Sequence, residues 1–151
     1  MAVVQSTYST TRPVGYAGMI ANGETSNRIS RTIEDSAGVA FGKPVFRGAG
    51  DHGVTATPSA ALMGFTIANY AAPPVQASGV QSDTYPQYAT AGILTQGEIW
   101  VNAGVAVADG DQAYVTSGGV ITNVSTSNTI LTGWFFQDTI SAAGLTRVAK
   151  R

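Results

Sequence analysis

Gly48-Ala49-Gly50-Asp51-His52-Gly53 spells the G-x-G-x-x-G pattern of a dinucleotide site, a loop whose backbone N–H groups cradle phosphates. That chemistry needs a strand before the loop, a helix after it and an acidic residue about 20 positions on. Here Val54-Thr55-Ala56-Thr57-Pro58 follows, which does not open a helix, and the later neighbourhood is Asn69-Tyr70-Ala71, without a carboxylate. The stretch reads as a glycine-rich turn. His52 is the chain's single histidine, too few for a zinc site. No G-x-S-x-G elbow places a serine for nucleophilic attack. Asp109-Gly110-Asp111 lacks the further oxygen ligands and terminal Glu of a calcium loop, and a tight turn explains it. Glu24, Glu34 and Asp35 could be imagined as acid–base pairs, but they fall in a segment with no cleft to tune them. The sequence therefore predicts no enzyme, no cofactor and no metal.

The elements that would position any site belong to one domain, since 151 residues suit a single ordinary core. Hydrophobic residues make up 44% and charged residues 11%, against about 25% charged in a typical soluble domain. Gly, Ser and Thr fill the difference, so the surface is either held in an assembly or solvated by hydroxyl and amide groups. Net charge is only -1 with normal aromatic content, which argues against disorder. Without cysteine there is no disulfide framework. No run reaches the roughly 18 apolar residues of a membrane span. The opening MAVVQSTYSTTRP has neither a basic start nor an apolar core, so the expectation is a protein made in a cytoplasm without the usual export signal. On that expectation the sequon Asn123-Val124-Ser125 carries no meaning.

Charge is unevenly placed. Arg12, Arg28, Arg31, Lys43 and Arg47 face Glu24, Glu34 and Asp35 in the first fifty residues. No Lys or Arg occurs between Arg47 and Arg147, a stretch holding Asp51, Asp83, Glu98, Asp109, Asp111 and Asp138. Arg147, Lys150 and Arg151 close the chain. Non-specific nucleic-acid affinity rests on Lys and Arg contacts to phosphate, and a body lacking them offers no such surface. Basic ends and an acidic middle suit either an end lying on a neighbouring subunit or ends folded back on their own body; charge alone does not choose.

Residues 1–35 read as an arm, rich in Ser and Thr before Pro13, broken by Gly15, Gly18 and Gly23, and apolar without a period. Residues 36–151 read as a β-rich body. Lys43 to Phe46 is extended, and Gly64 to Asn69 alternates with Phe65 and Ile67 on one face and Thr66 and Ala68 on the other. A Pro-rich loop spans 71–86, long enough to suggest a contact element. Ala91 to Leu94 and Ile99 to Asn102 read as two strands about a turn at Thr95-Gln96-Gly97, and Gly104 to Val107 as another strand. Gln112 to Thr116, Val120 to Thr122, Ile130 to Thr132, Trp134 to Gln137 and Gly144 to Val148 follow, divided by Gly- and Asp-rich turns. Closely spaced short strands predict an all-β fold, a small β-barrel or jelly-roll-like sandwich.

The order Gly92-Ile93-Leu94-Thr95-Gln96-Gly97-Glu98-Ile99-Trp100-Val101, Ala106 to Val115, Gly118-Gly119-Val120-Ile121, Gly133 to Gln137 and Ala142 to Val148 resembles tailed-phage capsid decoration, or structural cement, proteins. Ile29 to Thr32, Phe41 to Val45 and Gly64 to Ile67 extend the resemblance upstream, so it covers about 28–148. It implies a β-barrel or jelly-roll body with an extended N-terminal arm. It also implies a virion protein on the capsid exterior that clamps neighbouring major capsid subunits as a small homo-oligomer, a trimer ahead of a dimer. No catalytic residues carry over. On that footing Tyr8 and Tyr16 are candidate aromatic anchors, and Arg12, Arg28 and Arg31 candidate partners of acidic patches, setting register more than affinity. Trp100 is a further candidate anchor, with the core as its alternative place. Two other classes compete: a tail or tube subunit, which would form rings or open stacks, and a carbohydrate-binding sandwich using Trp100, Trp134 and the six tyrosines. The last needs two or three exposed coplanar aromatics.

Overall fold

The computed structural model describes residues 14–69 and 83–151, which form strands and turns with no helix among the described residues. The strands are β1 (Asn27–Ile33), β2 (Val39–Ala40), β3 (Pro44–Arg47), β4 (Gly53–Thr55), β5 (Leu62–Thr66), β6 (Thr84–Tyr85), β7 (Thr90–Ala103), β8 (Gln112–Val115), β9 (Ile121–Thr122), β10 (Thr129–Phe136) and β11 (Gly144–Lys150).

The fold is organised by β7. Its first half pairs with β1 on one edge, from Thr32↔Thr90 to Asn27↔Gln96, and with β5 on the other through Phe65↔Leu94. Its second half pairs with β11, from Lys150↔Gly97 to Gly144↔Ala103. With β4 and β3 between β1 and β5, the first half closes a five-strand barrel, β1-β4-β3-β5-β7. The second half closes another ring, β7-β11-β10-β8-β9, through the parallel pair Ala103↔Ile121. Closure removes the open edges a free sheet would present to other chains.

The expected turn at Thr95-Gln96-Gly97 is absent: the segment runs straight through as one 14-residue strand. The glycine does mark a change, because pairing passes from β1 to β11 at Gly97. Its φ is +124°, a conformation open to glycine alone, and a Cβ there would lie 2.9 Å from Ser26 Cβ. Turn chemistry and a strand that changes partners call for the same residue, which is why local pattern misreads it. Gly104 to Val107 also differs from expectation; it bends, and only Val107 bridges to Ile140.

Alternation sorts side chains into two cores. Ile33, Val45, Val54, Ala91 and Ile93 fill the first barrel, joined by Val39, Phe41 and Tyr85 around the small β2–β6 sheet. Ile99, Val101, Ala113, Val115, Ile121, Leu131, Phe136 and Val148 fill the second. Phe46, Phe65 and Leu94 point from the first barrel toward the second and belong to its cluster, where Phe65 meets Trp134 edge-to-face at 4.7 Å. Burying each such aromatic contributes about 1.5–3 kcal/mol, so residues on strands of the first barrel help stabilise the second core.

β10 needs a special device. Ile130 opposes Tyr114 and Phe135 opposes Gln112, so four residues of β10 face one of β8. Ladder carbonyls are left over in that bulge. The Gln112 side chain satisfies them, its Nε2 donating to Leu131 O (2.9 Å) and Trp134 O (2.8 Å).

Much of the expected arm lies in the body. Ile20 bridges Ile99, Ala21 N–H donates to Glu98 O, and Trp100 N–H donates to Met19 O. Residues 18–21 thus take the edge of β7 opposite β11, and 27–33 form β1. The signal was hidden because Ile29, Arg31 and Ile33 share one face, so a charge interrupts the apolar set. Residues 1–13, with Tyr8 and Arg12, and most of the 71–86 loop lie outside the described residues.

One buried group works against the second core. Thr146 is fully buried, and its Oγ1 has no hydrogen-bond partner among the described residues. Replacing an unsatisfied buried hydroxyl by a methyl group of the same shape relieves a cost of about 1 kcal/mol. Thr146→Val is expected to raise the urea midpoint with an unchanged m-value.

Candidate interface

Each residue set with apparent chemical potential finds a structural task. The glycine-rich loop does cradle an anion, and the anion is the chain's own Glu34. Ala49 N–H donates to Glu34 Oε2 and Gly50 N–H to Oε1, both at 2.8 Å. A Cβ on Gly53 would fall 1.6 Å from Glu34 Oε1, and one on Gly48 2.3 Å from Oε2, so the glycines make room for the carboxylate. Asp35, next in sequence, turns to another loop, accepting from Thr55 Oγ1 (2.9 Å) and Ala56 N–H (3.0 Å). The two acids share no cleft. Asp111 accepts from Ala108 N–H and Asn123 Nδ2, which fixes the Asp109-Gly110-Asp111 turn. His52 is exposed, and among the described residues no three His, Asp or Glu side chains gather as metal ligands.

The most structured polar site lies on the outer face of β7 and β11. By alternation Glu98, Trp100 and Asn102 point outward there, opposite Ala149, Arg147 and Leu145. Glu98 is 3% exposed. Burying a carboxylate is costly unless it is paired, and several groups converge on it. Arg147 Nη1 lies 2.9 Å from Oε1, an ion pair outside hydrogen-bond angles. Arg151 Nη2 lies 3.5 Å from Oε2, and Asn22 Nδ2 donates to Oε2. Arg147 also forks onto Asp138, which lowers the Asp138 pKa and raises that of Arg147. Arg151 reaches Glu24 Oε2 at 3.3 Å. The basic C-terminal end thus folds back on its own body.

This face is where the N-terminal segment leaves. Gly15 rests on the Trp100 indole, a Cβ there falling 2.6 Å from Cε2, and the Arg147 guanidinium stands over the same ring at 5.5 Å. Val14, the first described residue, is 81% exposed. Beside it lies an open groove of about 400 Å³ lined by Tyr16, Phe41, Lys43, Asp83, Asn102 and Leu145. Burial lowers the Lys43 pKa, and its Nζ donates to Gly119 O at 3.0 Å.

The sequence-selected contact residues are not gathered into one patch. Tyr16 is 43% exposed at the groove. Arg28 and Arg31 are on β1, but odd spacing sends them to opposite faces, Arg31 beside Ile29 and Ile33. Their bonded neighbours are Ser26 Oγ for Arg28 and the Ser30 carbonyl for Arg31. Sequence reasoning missed the Glu98 cluster, whose bonded partners Glu24 and Arg151 are 127 positions apart. Neither tryptophan offers an open sugar platform: Trp134 is 1% exposed and Trp100 is covered by Gly15.

The Glu34 loop carries a pH signature. Hydrogen bonds from Gly50 and Ala49 hold the Glu34 pKa below its ordinary value near 4.5. A group with a lowered folded pKa stabilises above the unfolded value and loses that contribution as pH falls through the folded one. On acidification from pH 4.5 downward, the native chain is expected to lose more stability than Glu34→Gln, measured by thermal melts across pH.

A search of curated proteins returns no match. Among solved structures, a chain from the capsid of Myoviridae phage XM1 aligns with TM-score 0.71 at 14% identity, covering 94% of this chain and 93% of that one, and so shares its fold. The head fiber gp8.5 N base of bacteriophage phi29 aligns at TM-score 0.47 and 11% identity, covering 84% of this chain and 95% of that one, too distant to bear on the argument. The sequence matches the family described as structural cement protein (E217 gp24/Pam3 gp6) over residues 4–150. The match spans nearly the whole length, so the chain belongs to the phage structural cement protein family, a family of structural proteins and not of enzymes.

Proposed function

We propose that this protein binds the outer surface of a phage head and cements neighbouring major capsid subunits, acting as a small closed homo-oligomer, a trimer ahead of a dimer. The family match over residues 4–150 carries this reading, and it includes most of the N-terminal segment. The structure supports it through mechanics. A cement protein resists outward stress by holding partners whose separation would otherwise grow, so the point where an extended segment meets the body has to resist pulling. Here residues 18–21 are bonded to β7, itself hydrogen-bonded within both closures. Residues 18–21 therefore tie the N-terminal segment to a strand that both closures hold.

Tyr8, Arg12, Tyr16, Arg28 and Arg31 are the proposed contact residues. The arginines fit acidic patches on a neighbour and set register and encounter rate. Nucleic acid is a poor partner for a body with no Lys or Arg between Arg47 and Arg147. A membrane is not proposed as a partner, and the oligomer would use closed symmetry.

The test is to add purified protein to heads lacking it and measure occupancy. Saturable binding at fixed stoichiometry is expected. Deletion of residues 1–13, which leaves the described body whole, is expected to keep the melting transition and weaken head binding at least roughly tenfold, about 1.4 kcal/mol. Absence of saturable binding by the full chain, or open-ended stacks in solution, overturns the reading.

A further inference from the structure

Six asparagines occur in the chain, and only Asn22 is followed by glycine. We propose that Asn22–Gly23 is a self-modification site, where Asn22 deamidates and thereby disarms the anchor of Glu98. The proposal is independent of any capsid role.

The reaction needs no enzyme. The backbone nitrogen of Gly23 attacks Asn22 Cγ, forming the ring C–N bond. The Cγ–Nδ2 bond breaks, and the Gly23 N–H proton leaves with the amide group as ammonia. Water then opens the cyclic imide at either carbonyl, giving aspartate or isoaspartate. The balance is asparagine plus water giving a carboxyl residue plus ammonia, with no change of oxidation state.

Three observations favour this site. Gly23 has no side chain to obstruct ring closure, and no heavy atom stands within 4 Å of where a Cβ would be. Asn22 and Gly23 are both exposed, so water reaches the imide. Glu24 N–H donates to Asn22 Oδ1 at 3.0 Å, which polarises the carbonyl and receives the negative charge that develops on that oxygen during attack. The five remaining asparagines precede Arg28, Tyr70, Ala103, Val124 and Thr129, whose side chains crowd the attacking nitrogen.

The consequence follows from the partner. Asn22 Nδ2 donates to Glu98 Oε2, and Glu98 is 3% exposed. Deamidation replaces that donor by an anion. Two carboxylates then face each other at a buried position already shared with Arg147 and Arg151, and like charges there disfavour both ionised forms. The segment that pairs with β7 through residues 18–21 loses an adjoining tether.

The test is peptide mapping by mass spectrometry of the intact native protein aged in mildly alkaline buffer containing oxygen-18 water. The expected result is labelled aspartate and isoaspartate at residue 22, forming roughly tenfold or more faster than at any other asparagine, and Gly23→Ala slowing it by a similar factor. An Asn22 that stays intact while the same protein in urea deamidates there overturns the proposal, because the hydrogen bonds then protect the amide. Asn22→Asp reports the consequence separately. It is expected to melt lower than the native chain near neutral pH and to approach it on acidification, as a carboxyl pair regains a proton. A variant melting no lower at neutral pH overturns the disarming of Glu98.

Discussion

Everything in this protein depends on β7 pairing with different strands along its two halves. A strand offers two edges, and 14 residues are long enough for β1 and β5 to use the first half while β11, residues 18–21 and β9 use the second. Gly97 makes the transition possible because its φ of +124° lets the backbone redirect without ending the strand. Had the chain turned at that point, two separate sheets with exposed edges would have resulted. Instead each half closes a ring, and Phe46, Phe65 and Leu94 from strands of the first pack into the core of the second. Sliding one closure past the other would disturb a strand common to both.

Charge placement has a consistent logic within that frame. Arg147 and Arg151 pair with Glu98, Asp138 and Glu24 at the outer face of β7 and β11, so the C-terminal end is committed internally. Of the two arrangements that the sequence left open, the C-terminal end adopts the intramolecular one. A pair of this kind is weak evidence for stability, since hydrophobic replacements often do as well. Its value lies in direction: it fixes where residues 22–24 run and so where the N-terminal segment emerges, beside Trp100 and the groove at Tyr16.

Sequence made the local features legible and concealed the distant ones. The strands expected over Gln112–Thr116 and Gly144–Val148 are found as Gln112–Val115 and Gly144–Lys150, and Asp109-Gly110-Asp111 turns as its composition requires. Phe65 and Ile67 pack on one core and Ala68 on the other, as period two demands. Glu34 looked like an arm residue and the Gly48 loop like a plain turn because their meeting spans 15 positions. The body's true beginning was hidden by Arg31, a charge on the Ile29–Ile33 face of β1. Gln112 in the β10 bulge carried no local signal, since a half-buried glutamine looks the same whether or not its amide fills a ladder. In each case a contact far apart in sequence decided what the residue does.

The central claim is that residues 18–21 belong to the same cooperative unit as β7. Native-state hydrogen exchange resolved at single amides tests it through Gly18, Ala21 and Trp100, whose N–H groups donate to Trp100 O, Glu98 O and Met19 O. Those three amides are expected to exchange with the free energy of global unfolding, together with Ile99 and Val101. Exchange of Gly18 and Ala21 at the rate of an open segment, while β7 stays protected, would contradict the account.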